Sequence, residues 1–167
     1  MLSYEELDNK FCDDDRFMQE NVPPEVYQEY LNQVNEVLVE DSDNIDALEM
    51  KYFLLFSLEK FDECVETCDI VLKRTPNSIE VLNQKANCLF FLNRYGECIR
   101  ICQRILEINP KNEDAILMWG SAHSIANDNT LPKPPMTLEE KLWGIFALVI
   151  ILIIVVFVTY FSIKFLV

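Results

Sequence analysis

The sequence predicts an all-α protein: a solenoid of paired helices, then one C-terminal helix that crosses a membrane. Three observations carry this. Ile45–Ser78 slides onto Ile79–Asn112 without a gap, giving 11 identities in 34 positions. Inside each unit the apolar residues recur at spacings of three, four and seven, the period of helices with one buried face. Finally, Leu142–Ile163 is 22 residues without a charge.

The repeat is the strongest of the three. Leu48 falls on Leu82, Leu55 on Leu89, Cys64 on Cys98, Cys68 on Cys102 and Pro76 on Pro110. Leu48, Leu55 and Leu58 mark a first helix, and Phe61, Cys64, Cys68, Val71 and Leu72 a second. Neither could bury its apolar face alone, so each hairpin needs neighbours. Asn77-Ser78 and Asn112 stand where helix N-caps belong, just past Pro76 and Pro110, which cannot continue a helix. A 34-residue helix–turn–helix closed by proline resembles the tetratricopeptide repeat (TPR) family. That resemblance implies close helix packing at a small residue of the first helix, matched by Ala86 and Gly120. Tyr52 fills the slot in the first unit, where packing is expected to be looser or tilted.

From the N-terminus, residues 1–24 read as an acidic arm holding a short helix at Leu2–Phe11, with Ser3 and Glu6 forming a capping box. Asp13-Asp14-Asp15 is expected to break that helix, and Val22-Pro23-Pro24 punctuates. Glu25–Val39 is amphipathic. Its Tyr27, Tyr30, Val34 and Val37 lie 34 residues before Phe61, Cys64, Cys68 and Val71, so it reads as the second helix of a degenerate first repeat. The two good repeats follow. Ala115, Ile116, Trp119, Gly120 and His123 of Glu113–Ala126 continue the first-helix pattern, as a lone helix expected to cap the stack and end the TPR domain of residues 25–126. Residues 127–137 form a Pro-rich linker whose Leu131–Pro135 stretch is a stiff spacer.

Residues 138–167 are expected to be a tail anchor, entered through a Thr137–Glu140 capping box. As a helix the 22 uncharged residues of Leu142–Ile163 would extend about 33 Å, enough to cross the hydrocarbon core. The repeats are then expected to face the cytosol. A span rich in Ile, Val, Leu and Phe, with Lys164 the only charge beyond it, resembles endoplasmic reticulum anchors more than mitochondrial outer-membrane ones.

Net charge is −14 overall, and residues 1–44 hold 13 acidic and 2 basic side chains. Such a surface repels nucleic acid and favours basic partners. Met1–Asp15 is too acidic for a signal peptide, so the six cysteines are expected as free thiols in a reducing compartment. Cys64/Cys68 and Cys98/Cys102 are i,i+4 pairs on the buried face of a second helix, which favours core packing over a zinc site. His123, the only histidine, lacks a partner at catalytic spacing, and with three glycines there is no phosphate loop. No enzyme and no cofactor is expected.

In the TPR family first-helix residues line a concave groove that binds partners. The resemblance places there Asp46, Glu49, Met50 and Phe53, then Glu80, Asn83, Gln84 and Asn87, then Asp114, Leu117, Met118 and Ser121. Chaperone-binding members clamp a C-terminal carboxylate with cations at these slots. Asn87 matches a clamp asparagine, but Asp46, Glu49, Asp114 and Met118 replace the cations, so that use is disfavoured. A basic or amphipathic helix fits better. The expected protein is a tail-anchored adaptor, with an endoplasmic reticulum translocation or insertion complex as one place for it. It also resembles the mitochondrial fission adaptor and plant-type import receptors for presequences. A self-associating scaffold is the reading of another class, although Phe90-Phe91 and Trp119 are read more simply as core.

Overall fold

A computed structural model describes residues 3–18, 22–126, 141–143 and 145–155, with no strand among them. The chain divides into two compact units, Met1–Lys133 and Pro134–Val167. The first unit holds α1 (Tyr4–Cys12), a 3-10 turn at Asp15–Met18, α2 (Pro24–Glu40), α3 (Ile45–Ser57), α4 (Phe61–Arg74), α5 (Ile79–Phe91), α6 (Tyr95–Ile108) and α7 (Glu113–Ala126). From α2 onward each helix packs on the helix before it, and α5 also meets α7. This is a stack of helical hairpins around one continuous core, as an α-solenoid requires.

The helix ends explain the regular spacing. Asn44 accepts the Ala47 N–H at 2.9 Å, Ser78 the Val81 N–H at 3.4 Å and Asn112 the Ala115 N–H at 2.8 Å, so each first helix starts on a side-chain cap. Both intact first helices stop the same way. Lys60 N–H donates to the Leu55 carbonyl at 2.9 Å and Glu59 N–H to the Phe56 carbonyl at 3.0 Å; Arg94 and Asn93 repeat this on Leu89 and Phe90. These closures place Glu59 and Asn93 in the left-handed region, at φ 56° and 59°. Between the caps, Leu54, Leu55, Leu82, Leu89, Ile99 and Ile105 are fully buried. Each contributes on the order of 1.5–3 kcal/mol by leaving water.

The N-terminal helix answers what stands before α2. Ser3 and Glu6 form the expected capping box, with Ser3 N–H donating to Glu6 Oε2 at 2.9 Å and Glu6 N–H to Ser3 Oγ at 3.3 Å. Leu7 is fully buried, and the Phe11 ring stands edge-on to Tyr30 at 5.2 Å and to Phe53 at 6.1 Å. The Tyr30 hydroxyl lies 3.1 Å from the Lys10 carbonyl and 2.8 Å from Asp14 Oδ2. Arg16 holds that same carboxylate at 2.6 Å and reaches Glu29 at 2.9 Å. So α1 packs into the core against α2 and α3, where a first helix of the first repeat belongs. The diproline is no interruption: Pro23 is the N-cap of α2, and Pro24 opens it.

Two expectations are corrected. A Cβ added at Gly120 would meet nothing within 4 Å among the described residues, so close helix approach does not require glycine there. Ala86, by contrast, is fully buried. Phe91 is 56% exposed, so it is not core.

In the second unit residues 141–143 and 145–155 are helical, and every side chain described there is exposed. Among the described residues no helix is long and apolar enough to cross a membrane. The expected span runs past Val155, and that part, like the linker and the Thr137–Glu140 box, lies outside the described residues.

Candidate partner-binding groove

The α5–α7 contact builds an open cleft of about 470 Å³. From α5 come Asn83, Asn87, Phe90 and Phe91; from α7 come Asp114, Leu117, Met118 and Ser121. Spacings of three and four put each set on one helix face. Six of the residues expected in the groove thus meet here: Asn83, Asn87, Asp114, Leu117, Met118 and Ser121. The side-chain amides of Asn83 and Asn87 make no hydrogen bond among the described residues, so each offers the cleft a donor and an acceptor. Ser121 instead donates to the Leu117 carbonyl at 2.9 Å. Asp114 is the only titratable side chain among the described lining residues, which supply no base–nucleophile pair.

The remaining six expected residues lie elsewhere. Gln84 approaches Cys64 Sγ at 4.0 Å. Met50 is buried, and Phe53, 46% exposed, has its ring against Phe11. Asp46, Glu49 and Glu80 share one electrostatic field. Partial burial, then the charges of Glu80 and Asp46, hold the Glu49 carboxyl above its ordinary range. Burial, then Asp8, Asp46 and Glu49, push the Tyr4 hydroxyl up to about 12. Among the described residues none of Asp46, Glu49, Glu80 and Asp114 forms an ion pair. Lys85 of α5 is turned to Asp69 at 2.5 Å. This face of the solenoid is therefore acidic without compensation.

Five of the six cysteines behave as core, and Cys12 is exposed. Cys64, Cys68, Cys88, Cys98 and Cys102 are all fully buried. Cys64 Sγ donates to the Tyr52 carbonyl at 3.3 Å. Hydrogen bonding to Cys64 and burial together push the Cys68 and Cys88 thiols up. Burial, then Glu49 and Glu80, also raise Tyr52, which fills its slot almost completely buried. His123 stacks on Trp119, with ring centroids 4.9 Å apart.

Sequence reasoning missed Phe90 and Phe91 as lining. Their place at the last turn of a first helix was the available signal, since that turn overhangs the connection to the next helix. Phe91 also closes a second cleft of about 400 Å³ with Tyr27, Phe56, Ser57, Glu59 and Phe61.

Stacked helical hairpins with the groove on their first helices define a TPR-like solenoid. No protein-family model matches the sequence, and no curated protein matches it. Solved structures do. The first TPR of Spaghetti (RPAP3) bound to the HSP90 peptide SRMEEVD superposes with a TM-score of 0.60 at 16% identity, over 74% of this chain and 90% of that one. The second TPR domain of human RPAP3 in complex with the HSP70 peptide SGPTIEEVD gives 0.53 at 14%, over 57% and 80%. The MamA RS-1 double mutant gives 0.57 at 20%, over 60% of this chain and 57% of that chain, so this chain spans little over half of MamA. At these identities the likeness establishes the fold.

Proposed function

We propose that this chain is a non-enzymatic adaptor that binds a basic, amphipathic helix in its groove. We further propose that its C-terminal segment anchors it in the endoplasmic reticulum membrane, with the repeats in the cytosol. The uncompensated acidic face carries the binding reading. Asp46, Glu49, Glu80 and Asp114 have no ion pair among the described residues, while Phe90, Phe91, Leu117 and Met118 supply apolar contact. A cationic amphipathic helix answers both features. Peptides ending in acidic residues, such as those bound by the RPAP3 domains, would meet the Asp114 carboxylate here, and none of the cleft's described lining residues is a cation. The anchoring reading rests on the 22 uncharged residues of Leu142–Ile163 and on the exposure of every described side chain from Leu142 to Val155.

Calorimetry on the full chain in nonionic detergent tests the first part. A Lys-rich amphipathic helical peptide should bind, weaken steeply with salt, and weaken about tenfold or more on Asp114→Lys. The peptide SRMEEVD should not bind. Tight, salt-sensitive binding of SRMEEVD would overturn the reading. For the second part, an N-terminally tagged chain should stain the endoplasmic reticulum and become diffuse without Leu142–Val167. A mitochondrial pattern would favour a fission or presequence-import adaptor instead.

A further inference from the structure

The cleft walled by Tyr27, Phe56, Glu59, Phe61 and Phe91 lies at the turn edge of the stack, where first helices pass into second ones. Three rings are organised there. Phe61 and Phe91 lie stacked at 5.0 Å with 9° between planes, and Phe56 stands edge-on to both, at 5.6 and 5.8 Å. Tyr27 and Glu59 complete the wall. The Glu59 carboxylate makes no hydrogen bond or ion pair among the described residues. The neighbouring Lys60 does not neutralise it, because its ammonium donates to Gln28 Oε1 at 2.9 Å.

Glu59 is also an anomaly of the backbone. It occupies the left-handed helix-closing position that favours glycine or asparagine, at φ 56°. The second repeat shows the ordinary solution at the same place. There the residue is Asn93, whose Oδ1 accepts the Tyr95 hydroxyl at 2.6 Å. Stepping every wall residue on by 34 gives Phe61, Phe90, Phe91, Tyr95 and Ile125, with Asn93 for Glu59. That junction is also largely aromatic, but in place of a free carboxylate it has a satisfied amide. Only the first junction combines an aromatic enclosure with an unpaired carboxylate, held there against backbone preference. Strain kept at a pocket is a reason to ask what the strained residue does.

We propose that this cleft is a cation-binding box for an arginine side chain of a partner protein, sharing only Phe91 with the α5–α7 groove. Ring faces carry negative potential and attract a cation laid over them. A guanidinium is planar, stacks on an aromatic face and forks onto a carboxylate, so it uses the rings and Glu59 at once. An ammonium is a more strongly hydrated point charge and does not stack. The cleft's volume of about 400 Å³ also accommodates the aliphatic stem.

The test is NMR of the full chain in nonionic detergent, titrated with the peptide acetyl-Ser-Gly-Arg-Gly-Ser-amide and with its citrulline and lysine versions. The arginine peptide should shift the amides of Phe56, Ser57 and Glu59 saturably. Citrulline, which keeps the shape and loses the charge, should bind about fivefold more weakly or worse. Glu59→Gln should weaken the arginine peptide by a similar factor and leave the citrulline peptide unchanged, while Asn87→Ala in the groove should change neither. Equal affinity for citrulline, indifference to Glu59→Gln, or shifts confined to Asn83, Asn87 and Asp114 would each overturn the proposal. Tighter binding of the lysine peptide would overturn the guanidinium assignment. Because the groove peptide is scored by Asp114→Lys and this one by Glu59→Gln, either site can fail alone.

Discussion

Replacing Glu59 with glycine should make the protein more stable, although it removes a side chain and adds no contact. The backbone at Glu59 sits at φ 56°, closing α3 with N–H groups donated to Phe56 and Leu55. A residue with a Cβ is disfavoured in that conformation by about 1–2 kcal/mol. Glycine removes the steric cost but gives up more backbone freedom on folding, about 0.5–1 kcal/mol. The difference leaves a gain of about 0.5–1 kcal/mol, or roughly 2–5 °C in Tm for a unit of this size. Asn93→Gly is the control. Asparagine visits the left-handed region readily, and Asn93 also accepts the Tyr95 hydroxyl, so this change should gain nothing. Thermal unfolding of the full chain in detergent reads both. A loss of stability in Glu59→Gly, or a larger gain in Asn93→Gly, would refute the account of strain. If the arginine box is real, the stabilised variant should also lose arginine binding, because stability and recognition then compete for one residue.

Two further outcomes follow from the packing and the charges. Leu7→Ala should cost about 2–4 kcal/mol in urea unfolding, because Leu7 is fully buried; a loss below about 0.5 kcal/mol would mean that α1 is a detachable flank. Glu49→Gln should stabilise the fold at pH 7. The folded-state pKa of Glu49 lies above its unfolded value near about 4.3, owing to burial and then Glu80 and Asp46. The fold therefore benefits from the proton below that pH and loses the benefit as pH rises through the folded value. Paired urea melts at pH 4 and pH 7 should show the advantage of the variant only at the higher pH.

Much of the fold was legible because a repeat states its register twice. The helix over Glu113–Ala126 and the caps at Ser78 and Asn112 coincide with the sequence expectation, since proline, cap and apolar period all agree there. The first helix of the first repeat was not legible. Asp13 to Pro24 lengthens the connection between α1 and α2, which destroys the 34-residue register that made the other hairpins visible. Gly120 misled because a family position implies a neighbour, whereas among the described residues nothing lies within 4 Å of a Cβ there. Glu59 carries no signal of its own. Only the closure geometry reveals that a glutamate holds a glycine-like position.

The order of contacts along the stack also fixes how the groove should behave in time. Because α7 packs chiefly on α6 and α5 among the described helices, it can detach without dissolving the hairpins before it. Four of the eight groove-lining residues leave with it. The groove should therefore vanish in brief local openings at the end of the array, far more often than the protein unfolds. A ligand that spans α5 and α7 would then act as a clasp, slowing hydrogen exchange in α7 while leaving α3 and α4 unchanged.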